Sequence, residues 1–251
     1  MTKAETIAIR ACTRLEEYDR CVELQRLVWG FADVELVPKD VIVVAGSTGG
    51  QVFGAFNGSE MVGFLLSFPG YRDGRSYIHS HMLAVLPEYR DAGVGRRLKL
   101  EQRADALARG LELVEWTFDP LELKNAYFNI ERLGAIVRRY IVNKYGRTTS
   151  PLHGGLPTDR LVAEWWLKTP RVEAVVKGGS VPHAPGSRRI SVPAAVAQLK
   201  SNDRATAERV QTDVREQFQK SFAEGYAVTG FEASEESGTY LLEPVPAGIP
   251  R

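Results

Sequence analysis

The sequence predicts an α/β (α+β) protein with a mixed, mostly antiparallel sheet flanked by helices. Two observations support this prediction. Residues 51–86 contain three strand-like segments separated by turn sequences, and a helix at 95–109 is followed by a strand at 112–118. Short turns join antiparallel neighbours, whereas a helix between two strands indicates a right-handed parallel crossover. The predicted order of the first part is therefore β-α-α-β-β-β-α-β-α-β.

The N-terminal elements follow from hydrophobic periodicity. Residues 6–11 alternate between apolar and polar and predict a strand, and residues 14–28 carry apolar side chains at helical spacing. A second helix is expected to open at Pro38 as its first helical residue, since proline is tolerated there. Residues 46–50 (GSTGG) form a predicted loop.

The strands of residues 51–86 form a predicted meander. Turns are expected at residues 57–60 (NGSE) and 69–74 (PGYRDG), because asparagine, glycine and proline favour tight connections. The expected strands are 51–56, 61–68 and 77–86. Further along, the helix 124–133 ending at Gly134 and the strands 135–142 and 160–167 complete the first part.

A composition change near Thr169 predicts two domains, residues 1–168 and a C-terminal extension of residues 169–251. The chain is rich in proline and glycine and irregular up to residue 192. Helices at 195–199 and 203–224 and a hairpin of strands 226–232 and 239–243 then give the extension α/β character. The extension could pack on the sheet, close a pocket or form a homodimer contact.

Composition limits the function classes. The 32 Lys and Arg residues balance 31 Asp and Glu, so the chain has no global field for nucleic acid or an acidic membrane. Cys12 and Cys21 lack metal-ligand spacing and suggest reduced thiols. No apolar run reaches about 18 residues and the N-terminus lacks an apolar leader segment. We expect a cytoplasmic protein with no metal.

Two glycines stand where an apolar strand gives way to a basic helix, in VLPEYRDAGVGRRLKL (residues 85–100). Glycines at a helix start let backbone N–H groups converge on an anion, although a plain turn is the alternative. Gly93 and Gly95 are followed by Leu98 instead of a third glycine, which weakens a dinucleotide-binding interpretation. No P-loop motif is present.

The loop from Arg90 to Gly95 (RDAGVG) resembles the R/Q-x-x-G-x-G/A acyl-CoA pyrophosphate loop of the GNAT (GCN5-related N-acetyltransferase) superfamily. The resemblance covers about residues 5–168. Residues 116–140 (WTFDPLELKNAYFNIERLGAIVRRY) resemble a subgroup of predicted acyltransferases with a C-terminal extension. The resemblance implies a GNAT fold with splayed strands at the acyl-CoA cleft, and an acyltransferase of the N-acetyltransferase type.

The resemblance also implies the cofactor contacts. Backbone N–H groups from Asp91 to Arg96 would cradle the pyrophosphate, and Leu83 and Val85 would pair with the pantetheine amides like an added strand. The strand that carries them is expected to be bulged. The complete cofactor-binding set implied for acetyl-CoA or another acyl-CoA is Leu83, Val85, Arg90, Asp91, Ala92, Gly93, Val94, Gly95, Arg96, Asn125 and Asn129.

The base of the family is often a Glu on the strand before the loop, and His79 occupies the corresponding position. Histidine titrates near neutral pH and could accept the ammonium proton directly or through water. His81 shares a strand face with His79 and is a candidate substrate contact. A structural hydrogen-bonding role is the alternative for both residues.

The family often places a catalytic tyrosine four residues before the glycine that closes the next helix, where this chain has Ile130. Tyr127 is the remaining acid candidate, with a core or rim aromatic as its alternative. Asn125 and Asn129 are expected to share one helix face, being four residues apart, and to contact the cofactor. Asp119 is either a substrate contact or part of a solvated turn.

Three functions remain open. The first is a cytoplasmic acyl-CoA-dependent N-acyltransferase, with acetyl-CoA as default donor and a small-molecule amine or amino acid as acceptor. The second uses succinyl-CoA or another acidic acyl donor, which would employ Arg138 or Arg139. The third is a non-catalytic acyl-CoA-binding regulatory module, favoured by the missing tyrosine at Ile130.

Overall fold

A computed structural model describes residues 7–146, 148 and 154–250. The chain divides into two compact units, Met1–Glu115 and Trp116–Arg251. Helices and mostly antiparallel strands alternate in the first unit and recur in the second, as the sequence predicted. In the described part of the chain, no helix is both long and apolar enough to cross a membrane.

The first unit follows the predicted element order closely. Its strands are hydrogen-bonded in the order β1-β2-β3-β4-β5, with β1 to β4 antiparallel and β5 parallel to β4. The elements are β1 (Ile7–Ala11), α1 (Leu15–Trp29), α2 (Lys39–Ser47), β2 (Gln51–Asn57), β3 (Glu60–Arg72), β4 (Arg75–Val85), α3 (Val94–Ala108) and β5 (Leu113–Phe118). Strand β5 continues into the second unit.

Two boundaries in the first unit differ from the prediction. Pro38 is the residue preceding α2 and not its first helical residue. The predicted turn at 69–74 shortens to Asp73 and Gly74, so that Pro69 lies within β3. Asp73 and Gly74 both have positive φ (52° and 75°), the conformation that a two-residue hairpin turn requires.

The core of the first unit forms where its helices cover the sheet. Leu24 of α1, Ile42 of α2 and Leu98 of α3 are completely buried among apolar side chains of β2 and β3. Cys12 and Cys21 are both buried in this core as free thiols, as expected. Burial of such side chains is the main stabilising term of the unit.

The second unit contains the other half of the chain. Its strands are ordered β7-β6-β9-β10-β8. A π-helical turn, Phe128–Arg132, directly follows the short helix Leu123–Tyr127. The elements are α4 (Leu123–Tyr127), β6 (Ile136–Ile141), β7 (Arg160–Trp166), α5 (Pro170–Val176), β8 (Arg188–Pro193), α6 (Val196–Asn202), α7 (Arg204–Ala223), β9 (Tyr226–Ala233) and β10 (Ser237–Pro244).

The segment 169–192, expected to be irregular, contains α5 and most of β8. Thr169 caps α5 by accepting a hydrogen bond from the Val172 N–H, and Pro170 supplies the first helical residue. Strand β8 is fixed by antiparallel pairing with β10, a long-range contact that local composition does not reveal. The sequence prediction missed α5 and β8 because both are short and β8 is stabilised by tertiary pairing.

Elements on both sides of residue 168 build the second unit. Val137 of β6 pairs with Val228 of β9, and the Tyr240 hydroxyl of β10 donates to the Pro120 carbonyl at 2.7 Å. The ring of Phe218 in α7 packs edge-on against Tyr240 at 5.1 Å. The two compact units thus divide the chain elsewhere than at 168/169, and the predicted domain boundary stays a prediction.

Candidate functional site

Strand β4 carries a β-bulge at His81. The register with β3 pairs Leu66 with Met82 and Ser67 with Ser80, so His81 is the extra residue between them. The parallel ladder with β5 pairs Ile78 with Val114 and His79 with Glu115 in the described residues. The bulge implied by the family resemblance therefore lies just before the residues predicted to pair with pantetheine.

Leu83 and Val85 follow the bulge on one face of β4. They pair with Leu65 and Gly63 of β3 and are half-buried. A Cβ atom built on Gly95 would lie 3.7 Å from the Leu83 side chain and 4.0 Å from that of Val85. The start of α3 therefore packs against this face of the strand.

The glycine loop ends in an open helix N-terminus. Asp91 and Gly93 have left-handed backbones, with φ of 59° and 75°. The N–H of Arg97 donates to the Gly93 carbonyl at 3.0 Å and makes the first helical hydrogen bond of α3. The backbone N–H groups of Val94 and Gly95 therefore precede the helical ladder, at the positive end of the helix, where an anion can bind.

The side chains of the loop leave its backbone accessible. Arg90, Asp91 and Gly93 are exposed, Ala92, Gly95 and Arg96 are half-buried, and Val94 is buried. The Arg90 guanidinium donates to the Val85 carbonyl at 3.2 Å and so ties the loop to the end of β4. A Cβ atom on Gly93 would meet nothing within 4 Å. Glycine is thus required there by its positive φ and not by crowding.

The structure brings His79 and His81 together on β4. Their ring centroids lie 6.3 Å apart, and the His81 ring stacks edge-on against Phe68 at 5.4 Å. His79 is half-buried and His81 is exposed. The two histidines therefore share one face of the strand, as the period of two predicted.

Glu115 is a charged residue beside His79 that the sequence interpretation missed. It is the register partner of His79 and is 5% exposed. Arg72 binds both of its carboxylate oxygens at 3.0 and 2.7 Å, and the guanidinium carbon lies 4.8 Å from the Tyr77 ring centroid. A glutamate in the middle of the apolar strand sequence ELVEWTF was the available signal.

In the second unit, Asp119 is held in a buried ion pair. Its carboxylate accepts a hydrogen bond from the Leu121 N–H at 2.8 Å and lies 3.0 Å from the Lys200 ammonium, which also binds Glu122 at 2.9 Å. Burial alone lowers the pKa of Lys200, but the charges of Asp119 and Glu122 outweigh it and raise the pKa. These contacts give Asp119 a structural role in a buried turn, which differs from the solvated turn expected from the sequence.

Tyr127 and the two predicted asparagines differ in exposure. Tyr127 and Asn125 are exposed on α4, whereas Asn129 is 4% exposed and accepts a hydrogen bond from the Trp116 indole at 3.1 Å. The expectation that Asn125 and Asn129 share a face is therefore wrong. The π-helical turn begins between them and changes the angular step per residue. Ile130 is completely buried.

Arg138 and Arg139 belong to a buried charge cluster. The Arg138 guanidinium bonds Glu164 at 2.6 Å and the Pro250 carbonyl at 2.6 Å, and Arg139 lies 3.4 Å from Glu164. Glu164 is 2% exposed and also accepts from the Trp166 indole. Glu164 thus pairs with both arginines within the unit.

Comparison with known proteins agrees with this geometry. Residues 15–134 match the model of the acetyltransferase (GNAT) family. A search of curated proteins found no similar sequence. Solved structures with the same fold include the ribosomal-protein-S18-alanine N-acetyltransferase from Escherichia coli, which is 13% identical with a TM-score of 0.52. That match covers 65% of this chain and 95% of the other.

Two further structures show the same relationship. NAA60 from Arabidopsis thaliana, solved with a bisubstrate analogue, is 14% identical with a TM-score of 0.52, covering 64% of this chain and 98% of that chain. Aminoglycoside 6'-acetyltransferase type Ii is 19% identical with a TM-score of 0.51, covering 64% and 98%. The fold and the acyltransferase class predicted from the sequence are confirmed. The similarity of this chain to the acetyltransferase (GNAT) family thus extends over residues 15–134.

Proposed function

We propose that this protein is an acyl-CoA-dependent N-acyltransferase that transfers an acyl group directly to the amine of a small molecule or amino acid. Acetyl-CoA is the default donor. The supporting observation is the helix start at Gly93, where N–H groups ahead of the first α3 hydrogen bond follow a bulged strand. The positive end of the helix dipole adds to the attraction for a pyrophosphate.

The proposed binding surface combines this loop with β4. Backbone N–H groups from Asp91 to Arg96 hold the pyrophosphate. The backbone of Leu83 and Val85 pairs with the pantetheine amides as with an added β-strand. The packing of Gly95 against Leu83 and Val85 supports a fixed relation between the two parts. Exposed Asn125 remains a proposed cofactor contact. Asn129 is a weaker candidate, because its amide oxygen is committed to Trp116.

The proposed chemistry assigns proton transfers to His79 and Tyr127. His79 takes the proton from the attacking ammonium, so that the amine forms a C–N bond to the thioester carbonyl. The C–S bond then breaks, exposed Tyr127 supplies a proton to the departing thiolate, and the proton that the new amide nitrogen sheds returns to the Tyr127 phenolate directly or through water. His81, beside His79 on β4, is a proposed contact for the acceptor.

The acceptor class is also part of the proposal. By their names, similar structures act on a ribosomal protein and on aminoglycosides, whose reacting groups are amines. An acidic acyl donor is less well supported, since Arg138 and Arg139 are already paired with Glu164. We also propose a cytoplasmic location, with a homodimer contact through the extension as a secondary hypothesis.

A thiol-release assay tests the proposal. Acetyl-CoA and succinyl-CoA are compared against a panel of amino acids and polyamines. Gly93→Glu should abolish the release by placing a carboxylate in the pyrophosphate loop. Gly58→Glu is the matched control, because Gly58 also has positive φ (60°) and open space but lies in the turn between β2 and β3.

The outcomes separate the functions. Acceptor-dependent release that survives in Gly58→Glu and is lost in Gly93→Glu supports the acyltransferase and names its donor. CoA binding without release against any acceptor supports a binding module, which the buried Ile130 in place of a tyrosine favours. Equal release by both variants contradicts the assignment of the loop.

A further inference from the structure

Lys99 of α3 is a buried lysine that the proposed chemistry does not use. It is 2% exposed. Its Nζ atom donates to the Ser80 hydroxyl at 3.0 Å and to the Gln102 side-chain carbonyl at 2.9 Å. Burial lowers the pKa of Lys99 well below its usual range and so favours the neutral amine.

The Lys99 amine begins a network of buried polar side chains. The Gln102 side-chain amide donates to the side-chain oxygen of Gln51 at 2.9 Å. The same oxygen also accepts a hydrogen bond from the Ser67 hydroxyl at 3.0 Å. Ser67 in turn accepts the Gln51 backbone N–H at 3.0 Å. The network therefore joins α3 to β2, β3 and β4 within the first unit.

The network meets the sheet at the bulge. Ser67 and Ser80 are the register pair directly before His81, and both hydroxyls are bound by the network. Lys99 lies one helical turn after Gly95, on the same face of α3. That face contacts β4 at two places, through Gly95 at Leu83 and through Lys99 at Ser80.

We propose that Lys99 is a positioning residue that, through Ser80, fixes the bulged part of β4 against the start of α3 and so shapes the acyl-CoA surface. The inference rests on the proposed function, because the surface is the one assigned to pantetheine and pyrophosphate. An apolar residue could fill the space of Lys99, but it would leave the Ser80 and Gln102 oxygens without their donor.

A pH-dependent stability distinguishes this role from simple packing. The Ser80 hydroxyl and the Gln102 side chain, which accept from Lys99, are uncharged, and the charged groups joined to the network include Asp105, bonded to Gln51, and Arg109, paired with Asp105. Because burial lowers the pKa of folded Lys99, the unfolded chain binds a proton that the folded chain lacks between that lowered pKa and about pH 10.4, so this residue makes stability rise with pH in that window. Lys99→Met should remove that contribution.

Calorimetric titration with coenzyme A itself tests the inference on the full chain. Lys99→Met and Ser80→Ala should each weaken CoA binding about 10-fold, the loss of roughly one hydrogen bond to a fixed geometry. The double variant should bind no more weakly than either single variant, since both remove one contact. Lys177→Met, at the exposed lysine that directly follows α5, is the control and should bind like the unsubstituted protein.

Amide hydrogen exchange supplies a second measurement, and we expect faster exchange at residues 81–85 in Lys99→Met and Ser80→Ala. Unchanged CoA affinity in folded Lys99→Met or Ser80→Ala overturns the positioning role alone. If Lys99→Met does not fold, Ser80→Ala decides. Absence of CoA binding by the unsubstituted protein instead overturns the proposed function, and this inference with it.

Discussion

His79 is the residue on which the proposed proton transfer depends. It is half-buried beside His81, and its register partner Glu115 is a buried carboxylate. The position follows from counting along the strand, whereas Glu115 does not, because the parallel register across a crossover is not encoded locally. The position of His79 on the strand could thus be predicted from sequence, but the charge in the adjacent strand could not.

His79→Ala should lower the rate of acyl transfer most strongly at low pH. There the acceptor amine is protonated and needs a base, whereas at high pH it loses its proton unaided. A pH–rate profile of both proteins measures the effect. A parallel profile for His79→Ala, displaced equally at every pH, would assign His79 to the structural alternative.

Replacement of Glu115 by Gln should destabilise the first unit by about 1.5–3 kcal/mol, because Arg72 loses a two-point bond to a buried carboxylate. Arg72→Met should have an effect of similar size. Urea unfolding of the two single variants and the double variant gives the coupling energy. Strict additivity would show that the pair acts as two independent side chains.

At the scale of elements, the first turn of a helix can be recognised from its acidic residues, as α1 shows. Glu17 in the first turn of α1 accepts backbone N–H groups of Thr13 and Arg14 and bonds the Arg10 and Arg14 guanidiniums. The side-chain bond from Arg10 is the largest cause that lowers the pKa of Glu17 to about 2, against the opposing effect of burial. Such an acidic first turn is visible in the sequence.

Glu17→Gln should reduce stability at neutral pH by about 1.5–3 kcal/mol, the worth of hydrogen bonds to a charged group. The folded pKa is depressed, so the contribution of Glu17 is present above pH 4.5 and is lost as the pH falls toward 2. Urea unfolding of both proteins between pH 2 and pH 7 measures it. A gap that stays constant down to pH 2 would contradict the assignment.

The second unit shows where element-level prediction stops. The helix near residue 124 and its end at Gly134 were predicted, but the π-helical turn was not, and it separated Asn125 from Asn129 in exposure. The ion pairs of Asp119 and Arg138 could not be predicted from the sequence for another reason. Their partners Lys200 and Glu164 lie 81 and 26 residues away in the chain, and one sequence does not pair distant charges.

For the whole molecule, the C-terminal third is part of the second unit and not a detached appendage. We expect a chain ending at Leu167 to lose the folded structure of β6 and β7, the two strands of the second unit that precede this end. Such a chain lacks Val228, which pairs with Val137, the Phe218 ring, which packs against Tyr140, and Tyr240, which packs edge-on against Phe218. Circular dichroism and solubility measurements test this, and a soluble truncated chain with acyltransferase activity would show the extension to be dispensable.

The tryptophans give the molecule its own optical probes. Trp29 lies in the first unit, whereas Trp116, Trp165 and Trp166 lie in the second, where the first two rings meet edge-on at 6.0 Å. The indole of Trp116 is anchored to Asn129 and that of Trp165 to the Leu133 carbonyl. Intrinsic fluorescence is therefore weighted toward the second unit, and its emission maximum should register rearrangement of the π-helical turn without any added label.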